Sequence, residues 1–250
     1  MITTIGIIGL MGRMGQSIAC VVDEHPNASL SCGLVRKHSL VESRSDLKNN
    51  TAIHPQVITD DPSSFYPECD VVIDFSHATS TTNYAKLAAT YNKPFMSGTT
   101  GLQPEDHAAL KELSSTIPIL WASNTSLSLV VTKKIVHMTS NLLAPYGYDV
   151  SILDKHHKWK KDAPSGTAIT LGEAVKSGCE DRCEPTYASM RAGTIIGEHD
   201  VLFAGAGEFI NIQHKVTDRR VFAHGAVEAA LWLAGQKPGL YTMDDVLGIS

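Results

Sequence analysis

No apolar run in this sequence approaches the length of a membrane span, and Met1-Ile-Thr-Thr leads directly toward a strand rather than a signal peptide. A membrane-embedded or exported role is therefore not expected, and a cytoplasmic one is. Charge of one sign is also scarce: charged residues make up 19% and the formal net charge is only -5. That mildly acidic balance lacks the basic footprint of a nucleic-acid or anionic-membrane binder. The five cysteines (Cys20, Cys32, Cys69, Cys179 and Cys183) are odd in number and scattered, so reduced thiols are expected rather than a disulfide framework. Cys179 and Cys183, with His199 downstream, make a poor zinc set, and no metal is expected. Repeats and low-complexity tracts are missing as well. What the chain does have is core: 43% hydrophobic residues over 250 positions suffice for one large domain or two modest ones.

The chain is organised around Lys155-His156-His157-Lys158-Trp159-Lys160-Lys161-Asp162-Ala163-Pro164-Ser165-Gly166-Thr167-Ala168. The alternating run Asp149–Asp154 before it reads as a half-buried strand, and Ile169–Lys176 after it as a helix. Asp162 and Pro164 mark a turn. Ser165-Gly166-Thr167 opens the helix with backbone N–H groups and two hydroxyls, a setting that suits a carboxylate or phosphate. Two imidazoles and several ammonium groups stand just upstream, so proton donors and anion receptors share one loop.

A second motif lies at the start. Thr4–Ile8 is a short apolar strand, followed by Gly9-Leu10-Met11-Gly12-Arg13-Met14-Gly15 and an amphipathic helix, Gln16–Glu24. Strand, glycine-rich turn and helix form a dinucleotide fingerprint in G-x-x-G-x-x-G spacing. Ser29–Val35 reads as the second strand. Its end, Gly33-Leu34-Val35-Arg36-Lys37, lacks the acidic residue that usually holds the adenine ribose of NAD. Further strands are expected at Val57–Thr59, Asp70–Ser76, Lys93–Met96 and Ile117–Trp121. Helices are expected at Ser80–Thr90, Pro104–Ser115 and Ser126–Leu143, and His38–Gln56 reads as a polar surface excursion. Beyond the central loop, Thr186–Arg191, Thr194–Ile196, His199–Ala204 and Glu208–Val216 read as strands of a mixed sheet. Val221–Ala234 reads as a helix, and Thr242 with Asp245 as a capping box.

The string His156-His157-x-x-Lys160-x-Asp162-Ala163-Pro164-Ser165-Gly166-Thr167-Ala168 resembles the signature of the dihydrodipicolinate (4-hydroxy-tetrahydrodipicolinate) reductases of bacterial lysine biosynthesis. Gly-x-x-Gly-Arg-Met-Gly and Gly98-Thr99-Thr100-Gly101 resemble two further motifs of that family, and the likeness runs along essentially the whole chain. It implies an α/β protein with a Rossmann-type parallel-sheet nucleotide domain (1–126 and 219–250) and a smaller α+β domain with a mixed sheet (127–218) that binds substrate and builds a homotetramer. It implies NAD(P)H-dependent reduction of a cyclic dicarboxylate in the diaminopimelate route, with His156 as proton donor and Lys160 as its partner. His157, Ser165, Gly166, Thr167 and Thr100 are then expected to hold substrate. Residues 9–15, Gly98, Thr99, Thr100 and the run Ala122-Ser123-Asn124-Thr125 are expected at the cofactor, the last with Ser123 where the family usually has Pro. Family members often carry an acid where Val35 stands; Arg36 and Lys37 therefore point to NADPH, with NADH weaker. Two alternatives stay open on sequence: another pyridine-nucleotide dehydrogenase, or a nucleotide-sensing regulator. The regulator has no use for a His-His-x-x-Lys cluster.

Overall fold

The computed structural model describes residues 1–36 and 58–249; the expected excursion at 38–56 and the residue Lys37 lie outside them. The chain divides into two compact units, Met1–Thr125 with Phe222–Ser250, and Ser126–Val221.

The first unit runs β1 (Thr3–Ile8), α1 (Arg13–Glu24), β2 (Ala28–Leu34), β3 (Ile58–Thr59), α2 (Pro62–Phe65), β4 (Val71–Asp74), α3 (Ala78–Thr90), β5 (Phe95–Ser97), α4 (Pro104–Leu113) and β6 (Pro118–Trp121). Its strands read as unbroken apolar runs because helices cover both faces of a parallel sheet. Ile5, Ile7, Ile8, Val71, Val72, Ile73, Phe95 and Ile119 are all essentially inaccessible to solvent. Each such apolar side chain contributes about 1.5–3 kcal/mol by leaving water. Helix starts follow local chemistry: the Asp61 carboxylate accepts the Ser63 N–H, and Gln103 with Asp106 forms a capping box.

The second unit contains α5 (Leu127–Leu143), β7 (Asp149–His156), α6 (Gly166–Gly178), β8 (Thr186–Arg191), β9 (Gly197–Gly205) and β10 (Glu208–Val216). The sheet order is β10-β9-β7-β8, with β7 and β8 parallel and the other pairs antiparallel. Alternation along β7 turns Val150, Ile152, Asp154 and His156 to one face, all buried. Leu129 and Val136 of α5 and Leu171 and Val175 of α6 pack with Val150, Ile152, Val201 and Phe203 in one core.

The chain then returns to the first unit through α7 (Arg220–Leu233), β11 (Gly239–Tyr241) and α8 (Met243–Val246). β11 pairs with β6, completing a seven-stranded parallel sheet of order β11-β6-β5-β4-β1-β2-β3. The Thr242–Asp245 capping box is present at α8.

Three features differ from the sequence-based expectation. Residues 194–196 form a connection rather than a strand, because Gly193 (φ +50°) turns the chain, and its carbonyl accepts the Lys158 N–H. β11 was not expected, since three residues after a Gly-Pro-Gly-rich segment carry no periodicity. Cys179 and Cys183 are joined in a disulfide where free thiols were expected: the turn through Glu180 and Asp181, both at positive φ, brings their Cα atoms to 6.1 Å. Cys20, Cys32 and Cys69 are free thiols. Among the described residues no helix is long and apolar enough to cross a membrane, and no His/Cys/Asp/Glu group is arranged to hold a metal.

Candidate nucleotide crevice and proton-transfer loop

In the first unit the chain runs outward from β1 to β2 and β3, then returns to the other side of β1 as β4. The reversal lies between β1 and β4, and open α/β sheets bind ligands outside the carboxyl ends of strands at such a point. A cavity of about 590 Å³ sits there, bounded by Gly9, Gly12, Phe75 and Ser76 and, farther out, by Arg36 and Tyr84. A neighbouring cavity of about 630 Å³ shares Gly12, Phe75, Ser76 and His77 and reaches Gly98–Gly101. The two form one crevice along the glycine-rich turn.

The backbone explains the turn. Gly9 has φ +82°, and a Cβ on it would stand 2.6 Å from the Phe75 carbonyl oxygen. On Gly15 a Cβ would stand 2.3 Å from the Gly9 oxygen. Only glycine permits this close folding of the turn onto the first turn of α1. That first turn carries no acidic residue, whereas α4 has Glu105 and Asp106 in its own. An anion is thus welcome at the start of α1 and unwelcome at α4. Leu10, expected at the cofactor, is instead fully buried against Gly33 and lines neither cavity; the Met11 carbonyl accepts from the Gln16 amide at 3.1 Å. Arg13 and Met14 line the inner lobe.

The far wall hangs on Asp74. Its buried carboxylate accepts the hydroxyls of Thr81 (2.9 Å), Ser97 (3.0 Å) and Thr99 (3.1 Å) and the Ser76 N–H (3.1 Å). Thr99 is thereby fixed, and its carbonyl accepts the Trp121 indole N–H at 2.9 Å; Thr100 beside it is exposed. Of the run after β6, Ala122 is buried and bonded to the Ser97 carbonyl, Ser123 is exposed, and Asn124 is half-buried. The buried Thr125 gives its hydroxyl to the Phe222 carbonyl at 2.6 Å.

In the second unit His156 ends β7, His157 and Lys160 follow in the loop, Ser165 caps α6, and Gly166 and Thr167 open it. The Ala163–Pro164 peptide in this loop is cis. Ser165 is the N-cap: its hydroxyl accepts the Ala168 N–H at 3.2 Å and lies 3.2 Å from Nε2 of His199. No acidic residue stands in the first turn of α6. The Lys160 ammonium pairs with Asp162 at 2.9 Å, and the His157 ring lies against Trp159, with the Lys158 ammonium over the indole.

His156 closes β7 with only 8% of its surface exposed. Its Nδ1 is 3.1 Å from Asp154, a fully buried carboxylate that also accepts the Ser165 N–H (2.8 Å), the Ser189 hydroxyl (2.9 Å) and the Arg191 guanidinium. Burial opposes the Asp154 charge, but these donors outweigh it and hold the carboxyl down at about 2. Burial pushes His156 below the ordinary imidazole value; Asp154 pulls the other way, while Lys160 and Arg191 push it further down. The neighbouring His199, deeply buried, is driven down to about 4. The imidazoles of His156, His199 and His214 follow one another at 5.2 and 6.3 Å.

The residues singled out from sequence therefore fall into two groups, one in each unit. Sequence reasoning missed Asp154, Arg191 and His199. Asp154 was legible in principle, because an acid two residues before a strand histidine shares its face. Arg191 and His199 arrive only through the pairing of β8 and β9 with β7.

Comparison with known proteins agrees with both halves. Models of the dihydrodipicolinate reductase family match residues 3–125 (N-terminus) and 128–247 (C-terminus). The 4-hydroxy-tetrahydrodipicolinate reductase of Campylobacter concisus is 36% identical over 263 residues, covering 98% of each chain. That of Anaplasma marginale is 38% identical over 258 residues, covering 97% of this chain and 98% of its own. Among solved structures, dipicolinate-bound dihydrodipicolinate reductase from Paenisporosarcina sp. TG-14 superposes with a TM-score of 0.79 at 22% identity, covering 97% of this chain and 98% of that one. The myo-inositol dehydrogenase of Corynebacterium glutamicum shares the fold at a TM-score of 0.60 and 11% identity, over 92% of this chain and 87% of its own. With both of its halves matched and its relatives spanned from end to end, the chain belongs to the dihydrodipicolinate reductase family.

Proposed function

We propose that this chain reduces 4-hydroxy-tetrahydrodipicolinate to tetrahydrodipicolinate, with loss of water, in the diaminopimelate route to lysine in the cytoplasm. The observation that carries the reading is the single loop joining a buried imidazole, an ammonium group and a helix start free of acidic residues. The glycine cradle at Gly9 and Gly15, which any Cβ would fill, fits a pyridine dinucleotide: Gly9 and residues 11–15 would hold the pyrophosphate, with Gly98, Thr99, Thr100 and the run 122–125 toward the nicotinamide. When bound, the reduced nicotinamide supplies the hydride.

The residues of the second unit manage the proton and the negative charge. Adding a hydride leaves electron density that a proton must quench, and His156 delivers it. The low proton affinity of His156 makes it a strong acid once charged. Lys160 stabilises the developing charge. Its pair with the half-exposed Asp162 is of the weak kind, so exchanging that partner for a substrate carboxylate costs little. The Ser165 N–H is held by Asp154 and the Ala168 N–H by the cap; Gly166 and Thr167 at the start of α6, with His157, take one substrate carboxylate. Ser165 shapes that turn, and Thr100, exposed on its own turn, is the candidate for the second carboxylate.

Arg36 lines the outer lobe and Val35 offers no carboxylate, which supports a preference for NADPH over NADH. For assembly we infer a homotetramer built through the open face and edges of the four-stranded sheet, which expose Met190, Phe209 and Ile210. Light scattering at assay concentration checks it, a stable monomer being the contrary result. The reaction itself is tested by following loss of NADPH absorbance with freshly synthesised substrate. Absence of turnover with both cofactors at saturating substrate would refute it.

A further inference from the structure

We propose that Asp154 is the positioning residue of the proton-transfer site: its carboxylate fixes His156 as the Nδ1–H tautomer and locks that ring in register with the first turn of α6. The inference deepens the reading of His156 as proton donor and rests on it. A carboxylate only accepts. Oδ1 faces Nδ1 of His156 and Arg191, and Oδ2 takes the Ser165 N–H and the Ser189 hydroxyl. With Asp154 charged, Nδ1 of His156 must carry the proton, and Nε2 becomes the nitrogen that exchanges one. Gly197 of β9 leaves that nitrogen uncovered: a Cβ there would lie 3.2 Å from Nε2.

The same carboxylate grips both ends of the loop, His156 where it leaves β7 and Ser165 where it enters α6. Arg191 fastens the middle, giving Nη1 to Asp154 and Nη2 to the Asp162 carbonyl at 2.6 Å. A donor at one end of the loop and an anion receptor at the other are thus held at fixed spacing by one buried group. An ordinary buried ion pair needs no imidazole and no helix N–H; this one has both. The groups facing His156 are Asp154 on its own strand, Arg191 on β8, His199 on β9 with His214 beyond it on β10, and Lys160 in the loop. Asp154 is the one anion among them.

The test is long-range ¹H–¹⁵N spectroscopy of histidine-labelled protein, with the His156 signals assigned by their loss in His156→Asn. The expected wild-type pattern at neutral pH is a protonated Nδ1 and a bare Nε2. In Asp154→Asn the tautomer becomes mixed, kcat falls on the order of 10²-fold or more with KM for NADPH unchanged, and the pH at which His156 titrates moves down. Asp154→Glu, which keeps a carboxylate, recovers the Nδ1–H pattern and more of kcat than Asn does. Because the tautomer is read without turnover, failure of the proposed reaction leaves this result standing on its own. Wild-type protein protonated at Nε2 overturns the inference, as does a folded Asp154→Asn with an unchanged tautomer and kcat. Should Asp154→Asn not fold, the wild-type spectrum and Ser189→Ala, which keeps three of the four donors and the Nδ1–H pattern, decide it.

Discussion

The Ser165 hydroxyl lies 3.2 Å from Nε2 of His199 while also accepting the Ala168 N–H, so one hydroxyl joins the cap of α6 to an imidazole of β9. A second cap is backed in the same way. Ser126 caps α5, and its hydroxyl lies 3.4 Å from Nε2 of His214, the residue paired with His199 across β9 and β10. Two helix starts are therefore braced by histidines of neighbouring strands. Burial, followed by the charges of His156 and His214, drives His199 down to about 4 from an unperturbed 6.5. Between those values the unfolded chain binds a proton that the folded chain refuses. Stability from this group is complete above about pH 6.5 and is lost as pH falls toward 4, by roughly 3 kcal/mol in all. Urea unfolding at a series of pH values is expected to show that slope, and His199→Gln is expected to flatten it. Asp154, held down at about 2, adds its own loss only below about pH 4.

Much of this was legible in the sequence. The parallel sheet showed as unbroken apolar runs at Ile5–Ile8 and Val71–Ile73, and the turn after β1 as closely spaced glycines. The loop from His156 to Thr167 is contiguous, so no pairing was needed to see it. What stayed hidden depends on pairing or on three-residue elements. Arg191 and His199 meet Asp154 and His156 only because β8 and β9 flank β7, and β11 is defined by its ladder with β6. The disulfide was hidden because scattered cysteines say nothing of a turn built from two residues at positive φ.

The proton-transfer assignment predicts a kinetic pattern. His156→Ala and Lys160→Ala are each expected to lower kcat by roughly 10²–10⁴-fold while leaving KM for NADPH within a few-fold. Since burial places His156 below the ordinary imidazole value, wild-type kcat is expected to be highest at acid pH and to decline as pH rises toward neutrality, with His156→Ala losing that dependence. Steady-state kinetics from about pH 5 to 8 check both points. Near-normal kcat in the two variants sinks the assignment.

The glycine cradle predicts a defect confined to the cofactor. In Gly15→Ala the new Cβ would stand 2.3 Å from the Gly9 carbonyl oxygen, so the turn or the start of α1 must shift. Overpacking of this kind costs about 1–3 kcal/mol. The expected result is a lower Tm and a KM for NADPH raised at least tenfold, with the KM for the dicarboxylate substrate within a few-fold of wild type. A variant with wild-type KM for cofactor overturns the crevice as the nucleotide site.

The last prediction concerns which nucleotide is used. A carboxylate at the end of β2 would hydrogen-bond the 2′-hydroxyl of NADH and repel the 2′-phosphate of NADPH. Val35 stands there instead, its side chain buried and its N–H bonded to the Thr59 carbonyl at 3.0 Å. Arg36 follows and lines the outer lobe of the crevice with Tyr84. Burial raises the Tyr84 hydroxyl, Asp74 adds to that, and the Arg36 charge works against both; the two side chains share the wall of the outer lobe. A planar guanidinium beside an aromatic ring suits a phosphate next to an adenine, and it pairs with phosphate through two parallel N–H donors. Charge-assisted bonds contribute about 1.5–3 kcal/mol each, which corresponds to a preference of about tenfold or more. Wild-type protein is therefore expected to favour NADPH at least tenfold in kcat/KM, and Arg36→Ala to lose most of that ratio by weakening NADPH while leaving NADH nearly unchanged. Raising the salt concentration is expected to narrow the wild-type ratio and to have little effect on the variant's. Equal use of the two cofactors by wild type, or an unchanged ratio in Arg36→Ala, removes Arg36 as the reader of the 2′-phosphate.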